Sequence, residues 1–273
     1  PNLCWINMRI VTWNVKRATP KSPVWQLLLE LSPDVVLLQE VNGFSDEIKE
    51  QFDIKYKHAI TKDGNKQSFG TAVMAKGKII EDIELVSKHD WVNKELSFFS
   101  GNILGCVVEI QKHSWINVIS VYSPAWPVNK KRIRNIDVSD VKLENNPDVW
   151  ATEILWSGLK ERLPSKIHQW VIAGDFNASE TFDYMWAGGP RGNKIVLDRM
   201  NDLGLIECLK LYKGELTPTF KNLGNNKVIH QLDHLFVNND FATNLKQCVT
   251  GDQEKIFGES ISDHLPIIAD FSV

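Results

Sequence analysis

Eight short apolar runs set what this chain can fold into. They are MRIVTWNV (8–15), DVVLLQEV (34–41), FGTAVMAK (69–76), ILGCVVEI (103–110), WINVISVY (115–122), QWVIAGDF (169–176), LDHLFV (232–237) and LPIIADFSV (265–273). Each is strand-length, most are rich in β-branched residues, and most stay apolar almost without alternation. A strand exposed on one face alternates polar with apolar residues, whereas a strand covered on both faces does not. The runs therefore predict sheets buried on both sides. Helical patterns lie between them. Ser22 is placed to cap a helix with Pro23 at its first position, and Val24, Leu27, Leu28 and Leu31 form its apolar stripe. Asn146 and Pro147 open a second, with Ala151, Leu155, Leu159 and Leu163 recurring every fourth residue. The class expected is α/β, with strands outnumbering helices.

No Gly/Ser tract, Pro-rich run, long block of like charge or repeat interrupts the pattern, so one domain over residues 8–273 is expected, preceded by an extension over residues 1–7. A chain of 273 residues with 43% hydrophobic content can bury a large core. No stretch reaches the ~20 apolar residues of a membrane span, and Pro1 to Asn7 lacks the basic flank and apolar centre of a signal peptide. The four cysteines, Cys4, Cys106, Cys208 and Cys248, are widely spaced and form no C-x-x-C pair, which points to reduced thiols and a cytoplasmic protein. The net charge of −3 supplies no global field for a polyanion, so nucleic-acid binding would need a local basic patch.

The way the runs end carries the functional signal. They deliver Asn14, Glu40, Tyr122, Asp175 with Asn177, Asp233, and Asp263 with His264 next to buried apolar sequence. Residues two apart on a strand share a face, so Asp175 and Asn177 are expected to point the same way. Taken singly, each has an ordinary explanation as a turn, cap or surface residue. Taken together they are hard oxygen donors with one imidazole, the chemistry of a divalent-metal phosphoryl-transfer site.

The ordered motifs T-W-N-V, L-L-Q-E-V, G-T-A-V, V-Y-S-P, A-G-D-F-N, L-D-H-L-F and S-D-H-L-P resemble the endonuclease/exonuclease/phosphatase superfamily over essentially the whole chain from Met8 to Val273. The resemblance implies a four-layer αββα sandwich with two central, mostly antiparallel sheets flanked by helices. It implies that Asp175 activates the attacking water and that Asn177 holds that water or a phosphate oxygen. Glu40, with Asn14 and Asp263, would bind Mg²⁺ or Mn²⁺. His264 would donate to the scissile phosphate, Asp233 would orient it, and Tyr122 would contact phosphate or leaving group. The implied activity is metal-dependent phosphodiester hydrolysis, with DNA or RNA as the leading substrate. A phosphatase or phosphodiesterase of small or lipid phosphoesters is the alternative, and a non-catalytic nucleic-acid or protein-binding module the reading of another class. Asn14-Val15-Lys16 departs from the N-x-D of apurinic endonucleases and tyrosyl-DNA phosphodiesterases. HQLDHLF departs from the P-x-W-C-D-R of inositol phosphatases, and Tyr122 from the histidine of the deoxyribonuclease branch.

Other polar and aromatic residues divide less cleanly. His230 and His234 are expected in core or surface rather than in the site. Trp126 and Trp186, in Pro/Gly-rich segments, are candidates for touching substrate. Lys130, Lys131, Arg132 and Arg134 form the densest basic cluster and are candidate substrate-binding residues. Alternatively, they balance Asp137, Asp140, Glu144 and Asp148. No membrane partner is expected.

Overall fold

Val35 to Gln39 are all buried, which places this strand inside the protein with both faces covered. The computed structural model describes residues 7–112, 114–163, 169–185 and 187–272. Within them the strands are β1 (Asn7–Ala18), β2 (Val35–Val41), β3 (Asp53–Ile60), β4 (Lys66–Ala75), β5 (Lys78–Ile83), β6 (Ile103–Gln111) and β7 (Ser114–Tyr122). They continue as β8 (Gln169–Asp175), β9 (Leu205–Glu207), β10 (Phe220–Lys221), β11 (Val228–His230), β12 (Asp233–Asn238), β13 (Leu245–Thr250) and β14 (Ile267–Ser272). The helices are α1 (Val24–Glu30), α2 (Asp46–Gln51), α3 (Asp90–Phe98), α4 (Ala151–Arg162), α5 (Glu180–Asp183), α6 (Asn193–Asp202), α7 (Cys208–Lys213), α8 (Asn239–Ala242) and α9 (Gln253–Gly258).

Two six-stranded sheets run in the orders β13-β14-β1-β2-β4-β3 and β5-β6-β7-β8-β12-β9, and β10 and β11 form a separate two-stranded ribbon. Each large sheet has one parallel pair at its centre, β1 with β2 and β7 with β8, and antiparallel pairing elsewhere. Side chains alternate between two cores with the period of two that a pleated strand imposes. Ile10, Leu37, Val73, Cys106, Val118, Ala173 and Leu235 pack between the sheets. Val11, Trp13, Val36 and Leu38, on the opposite face of the first sheet, are covered by Val24, Ile48 and Ile256 from α1, α2 and α9. Ile119, Ile172 and Phe236, on the outer face of the second, are covered by Leu96, Leu155 and Met200 from α3, α4 and α6. This is the expected four-layer αββα sandwich.

Local boundaries differ from the sequence expectation for identifiable reasons. Strand pairing begins at Asn7, which pairs with Ser272, one residue before the expected start. α1 begins at Val24 with Pro23 as its cap, because the Ser22 hydroxyl turns back to accept the Thr19 N–H at 2.9 Å. α4 begins at Ala151, where Glu153 accepts the Trp150 N–H at 2.8 Å. Asn146 instead accepts the Asp148 N–H at 3.0 Å and the Trp150 indole N–H at 3.2 Å, and so braces the preceding loop. The strands β3, β5 and β13 carry no continuous apolar signal because they are sheet edges dotted with charge, a common protection against edge pairing. Cys106, Cys208 and Cys248 are buried free thiols, and Cys4 lies outside the described residues. Among the described residues no helix is long and apolar enough to cross a membrane.

Candidate active site

The central parallel pairs end at the same end of the sandwich, and the amino ends of β12 and β14 come to meet them. Strand register does the first part of the assembly: Tyr122 lies opposite Asp175 across β7 and β8, and Asp233 lies opposite Asp175 across β8 and β12. The other sheet contributes Asn14, whose amide donates to Asp175 Oδ2 at 3.0 Å and approaches Glu40 Oε1 at 3.5 Å. His264, just before β14, donates from Nδ1 to Asp233 Oδ2 at 2.8 Å. Its Nε2 stands 3.9 Å from Asp175 Oδ2. Asp175, Asp233 and His264 are all buried and their ligand atoms lie within 4.8 Å of one another.

Backbone conformation explains how strand ends can aim polar groups inward. Four of the eight non-glycine residues with positive φ among the described residues, Lys16, Arg17, Glu40 and Asn177, lie at this end. Such conformations carry strain that surrounding contacts must hold, and they cluster at functional sites. Asn177 therefore reaches the site from a turn beyond β8, not from the strand face it was expected to share with Asp175. Its backbone N–H donates to Asp175 Oδ1 at 2.9 Å and its side-chain amide to the Ser123 carbonyl at 2.6 Å. Gly174, φ +148°, precedes Asp175 where a Cβ would stand 1.9 Å from the Val121 carbonyl oxygen.

The electrostatics follow from burial and neighbours. Burial pushes Asp175 up to about 7, with the His264 charge opposing it, Asp233 adding to it, and the Asn14 and Asn177 N–H donors pulling it down. For His264, burial disfavours the cation, but Asp233 and Asp175, the hydrogen bond to Asp233 and nearby Asp263 outweigh it and hold the pKa up at about 10. At neutral pH the imidazole is therefore a cation clamped between two carboxylates. Burial also raises Tyr122, reinforced by the charges of Glu40 and Asp175 and its hydrogen bond to Glu40.

Among the described residues Asp175, Asp233 and His264 are the group with metal-ligand spacing, and the hydrogen bond to Asp233 already occupies His264 Nδ1. Glu40, a carboxylate held in a left-handed conformation and ion-paired with Arg17 at 3.7 Å, is a further acidic group at this end. Hard oxygen donors of this kind suit Mg²⁺ or Mn²⁺. Asn14, expected as a ligand, donates its amide to Asp175 and Glu40, while its oxygen accepts the Lys16 N–H at 3.1 Å and keeps a second lone pair. Asp263 is half-buried beside His264, its carbonyl taken by the Lys221 N–H.

Several supporting residues had no sequence signal. The Thr219 hydroxyl donates to Asp233 Oδ2 at 2.7 Å, and the Ser262 hydroxyl ties the His264 loop to the Asn14 carbonyl at 2.7 Å. The Trp13 indole holds the His264 carbonyl at 2.8 Å, and the Phe220 ring lies 4.9 Å from the imidazole. Arg17 sits over the Phe69 ring, which meets Tyr122 edge-on. His230 and His234 are buried, as expected, with their rings bonded to the Thr181 hydroxyl and to Gln231 and the Ala178 carbonyl respectively.

The basic loop does not act as a unit. Arg132 makes a two-pronged ion pair with buried Glu95 at 2.9 and 2.8 Å and stacks on Phe98, which removes it from the substrate-binding set. Lys130 pairs with Asp148 at 2.9 Å. Lys131 and Arg134 are exposed. Trp126 stacks on Phe99 at 5.7 Å against the core, where an indole needs no substrate to be satisfied, and Trp186 lies outside the described residues.

A two-sheet sandwich with a carboxylate-clamped imidazole and hard oxygen donors at one end of its strands defines a phosphoester hydrolase. The sequence bears this out: residues 11–264 match the model of the Endonuclease/Exonuclease/phosphatase family, and the chain belongs to that family. No curated protein matches it in sequence. Among solved structures it is similar to a 3′–5′ exonuclease from Neisseria meningitidis, with TM-score 0.68, 19% identity, and coverage of 97% of this chain and 100% of that one. It is similar also to an AP endonuclease from Archaeoglobus fulgidus, with TM-score 0.67, 16% identity, and coverage of 97% and 100%. The endonuclease domain of TRAS1, a telomere-specific non-LTR retrotransposon, aligns with TM-score 0.57, 14% identity, and coverage of 97% and 99%. At these identities the likeness is one of fold.

Proposed function

We propose that this chain is a Mg²⁺- or Mn²⁺-dependent phosphodiesterase that hydrolyses nucleic acid in a single catalytic domain over residues 8–273. The observation that carries the reading is the Asp233–His264–Asp175 array, which presents one imidazole N–H and one carboxylate to the same small space. Asp175, held near 7 by burial and charge, accepts the proton of a water attacking phosphorus in line. Asn177 holds that water or a phosphate oxygen. His264 donates its Nε2–H to a phosphate oxygen as charge builds there, and Asp233 fixes the ring by accepting from Nδ1. Tyr122, whose hydroxyl is bonded to Glu40 in the free protein, would turn that one O–H to phosphate or leaving oxygen once Glu40 engages the ion. Glu40, with Asp263, would hold the metal ion, which when bound neutralises charge on the phosphoryl and leaving oxygens. A neighbour described as a 3′ phosphatase bound to a product DNA hairpin, together with the exonuclease and AP endonuclease, supports DNA as the substrate class. The buried free thiols support a cytoplasmic setting.

The test is a panel of plasmid, single-stranded and abasic DNA, RNA, nucleotides and lipid phosphoesters, each with Mg²⁺, Mn²⁺ or chelator. Turnover of a polynucleotide that stops with chelator is expected. Glu40→Gln should require about ten-fold or more metal for half-maximal rate, in line with losses seen when metal sites are perturbed. Turnover confined to small or lipid esters would move the assignment to the alternative, and an unchanged metal curve would remove Glu40 from the ion.

The loop geometry narrows the basic track to its two exposed members. Exchanging Lys131 and Arg134 together for Glu should raise KM for long DNA at low salt and reduce the slope of log KM against log salt by roughly 0.9 per lost phosphate contact. The kcat should stay unchanged, because such contacts bind ground and transition states alike. An unaltered salt slope would show that the polymer runs elsewhere.

A further inference from the structure

A cavity of about 270 Å³ opens beside the candidate site on the outer side of the second sheet, between α4 and α6. Its walls include the rings of Trp150, Phe176 and Phe182 and the side chains of Leu143 and Val196. The long connection from β7 to α4 builds one wall by folding back on itself, with the Val128 N–H on the Val149 carbonyl at 2.8 Å and the Leu143 N–H on Glu153 at 2.9 Å. The opposite wall is set by Asp183, whose carboxylate gathers the backbone N–H groups of Arg191, Asn193 and Lys194.

Two features make the cavity more than a packing gap. It is continuous with the site, because Asn177 and Ser123 line it while Asn177 also holds Asp175. It also carries polar groups among its rings. Thr152, 4% exposed, makes no side-chain hydrogen bond to another described residue, and Asn193 commits its amide nitrogen to Asp183, leaving its oxygen as an acceptor. We propose that this cavity is a base subsite, which seats the nucleobase of the nucleotide next to the scissile phosphate. The inference rests on the phosphodiesterase reading and specifies its substrate: a nucleotide unit with its base present. A heteroaromatic ring stacks on aromatic walls and offers donors and acceptors at its edge to Thr152 and Asn193. An alkyl chain would fill the same apolar space while leaving both polar groups without partners, which costs free energy. The volume is near the lower end of small-ligand pockets, about 300 Å³, and suits one nucleoside rather than a stretch of polymer.

The test is equilibrium binding by calorimetry with Mg²⁺ replaced by chelator, using deoxyadenosine 3′- and 5′-monophosphates, deoxyribose 5-phosphate and phenyl phosphate. At least one nucleotide should bind about ten-fold or more tightly than deoxyribose phosphate, the lower range expected of a stacked base. Phenyl phosphate should fall well below that nucleotide. Ala125, exposed at the cavity edge, is outside the site chemistry, and Ala125→Trp should abolish the nucleotide preference while leaving deoxyribose phosphate binding and thermal stability unchanged. Persistence of the preference in Ala125→Trp, or its absence in the parent, would overturn the subsite. Phenyl phosphate binding as tightly as the nucleotides would replace it with a general aromatic pocket. Turnover of the substrate panel is read separately: a parent that cleaves DNA without any base preference in binding loses the subsite and keeps the phosphodiesterase, whereas a parent with the preference and no phosphoester turnover does the reverse.

Discussion

His264→Gln lowers kcat by roughly two to four powers of ten, the range for losing a charge-stabilising donor or an acid–base group, and Asp175→Asn does the same. The double variant loses little more than either single one, because the two groups act on one transition state. Glutamine is the informative replacement at 264. Alanine would leave Asp233 buried at 0% exposure with its Oδ1 already lacking a partner, and so would mix lost stability with lost chemistry. The pH profile supplies a second readout. The parent's kcat/KM should rise through an apparent pKa near 7 as Asp175 loses its proton, and hold until His264 deprotonates near 10. Removing the imidazolium removes a charge that lowers Asp175, so the residual acid limb of His264→Gln should move to higher pH. Near-parental kcat, or an acid limb that stays in place, would dissolve the pairing of these residues.

Gly174→Ala costs stability, not chemistry alone. The residue sits at φ +148° in the parallel pair of β7 and β8, and an added Cβ would meet the Val121 carbonyl oxygen at 1.9 Å and Gln39 Nε2 at 2.9 Å. Neither neighbour can yield cheaply. Val121 pairs directly with Gly174, while Gln39 bridges the two sheets by donating to Ser120 at 3.1 Å and to the Leu37 carbonyl at the same distance. Backbone strain and a shifted strand together make a loss of about 3 kcal/mol or more the expected result. Chemical denaturation measures it, and for a chain of this size thermal unfolding should fall by roughly 6 °C or more. A loss under about 1 kcal/mol would mean that the strand pair relaxes around the methyl group.

Legibility in the sequence tracked burial. β2, β7 and β8 were readable because a strand covered on both faces cannot hide its apolar run, whereas the turn from Asp175 to Asn177 was not, because strand alternation put both residues on one face. β3, with Lys55, Lys57 and His58 along it, was not, since an edge strand borrows its conformation from β4 rather than from its own pattern. The basic cluster misled for a related reason. Charge density along the chain identified Lys130 to Arg134, but only the fold brings Glu95 from α3 under Arg132 and leaves Lys131 and Arg134 to solvent.

The sequence by itself determined the layered α/β architecture, the family, and which side chains stand at the ends of buried strands, because periodicity and residue chemistry are local properties. Tertiary structure decided which of those side chains meet. Asn14 joins Asp175 across 161 positions of chain, and His264 finds Asp233 and the supporting Thr219 through the placement of β12 beside β8. It also set the Asn14 amide between the carboxylates of Asp175 and Glu40, and shaped the cavity behind Asn177 from a loop and two helices far apart in sequence. Contacts of that kind arise from strand register and from packing between layers, which no local pattern of residues records.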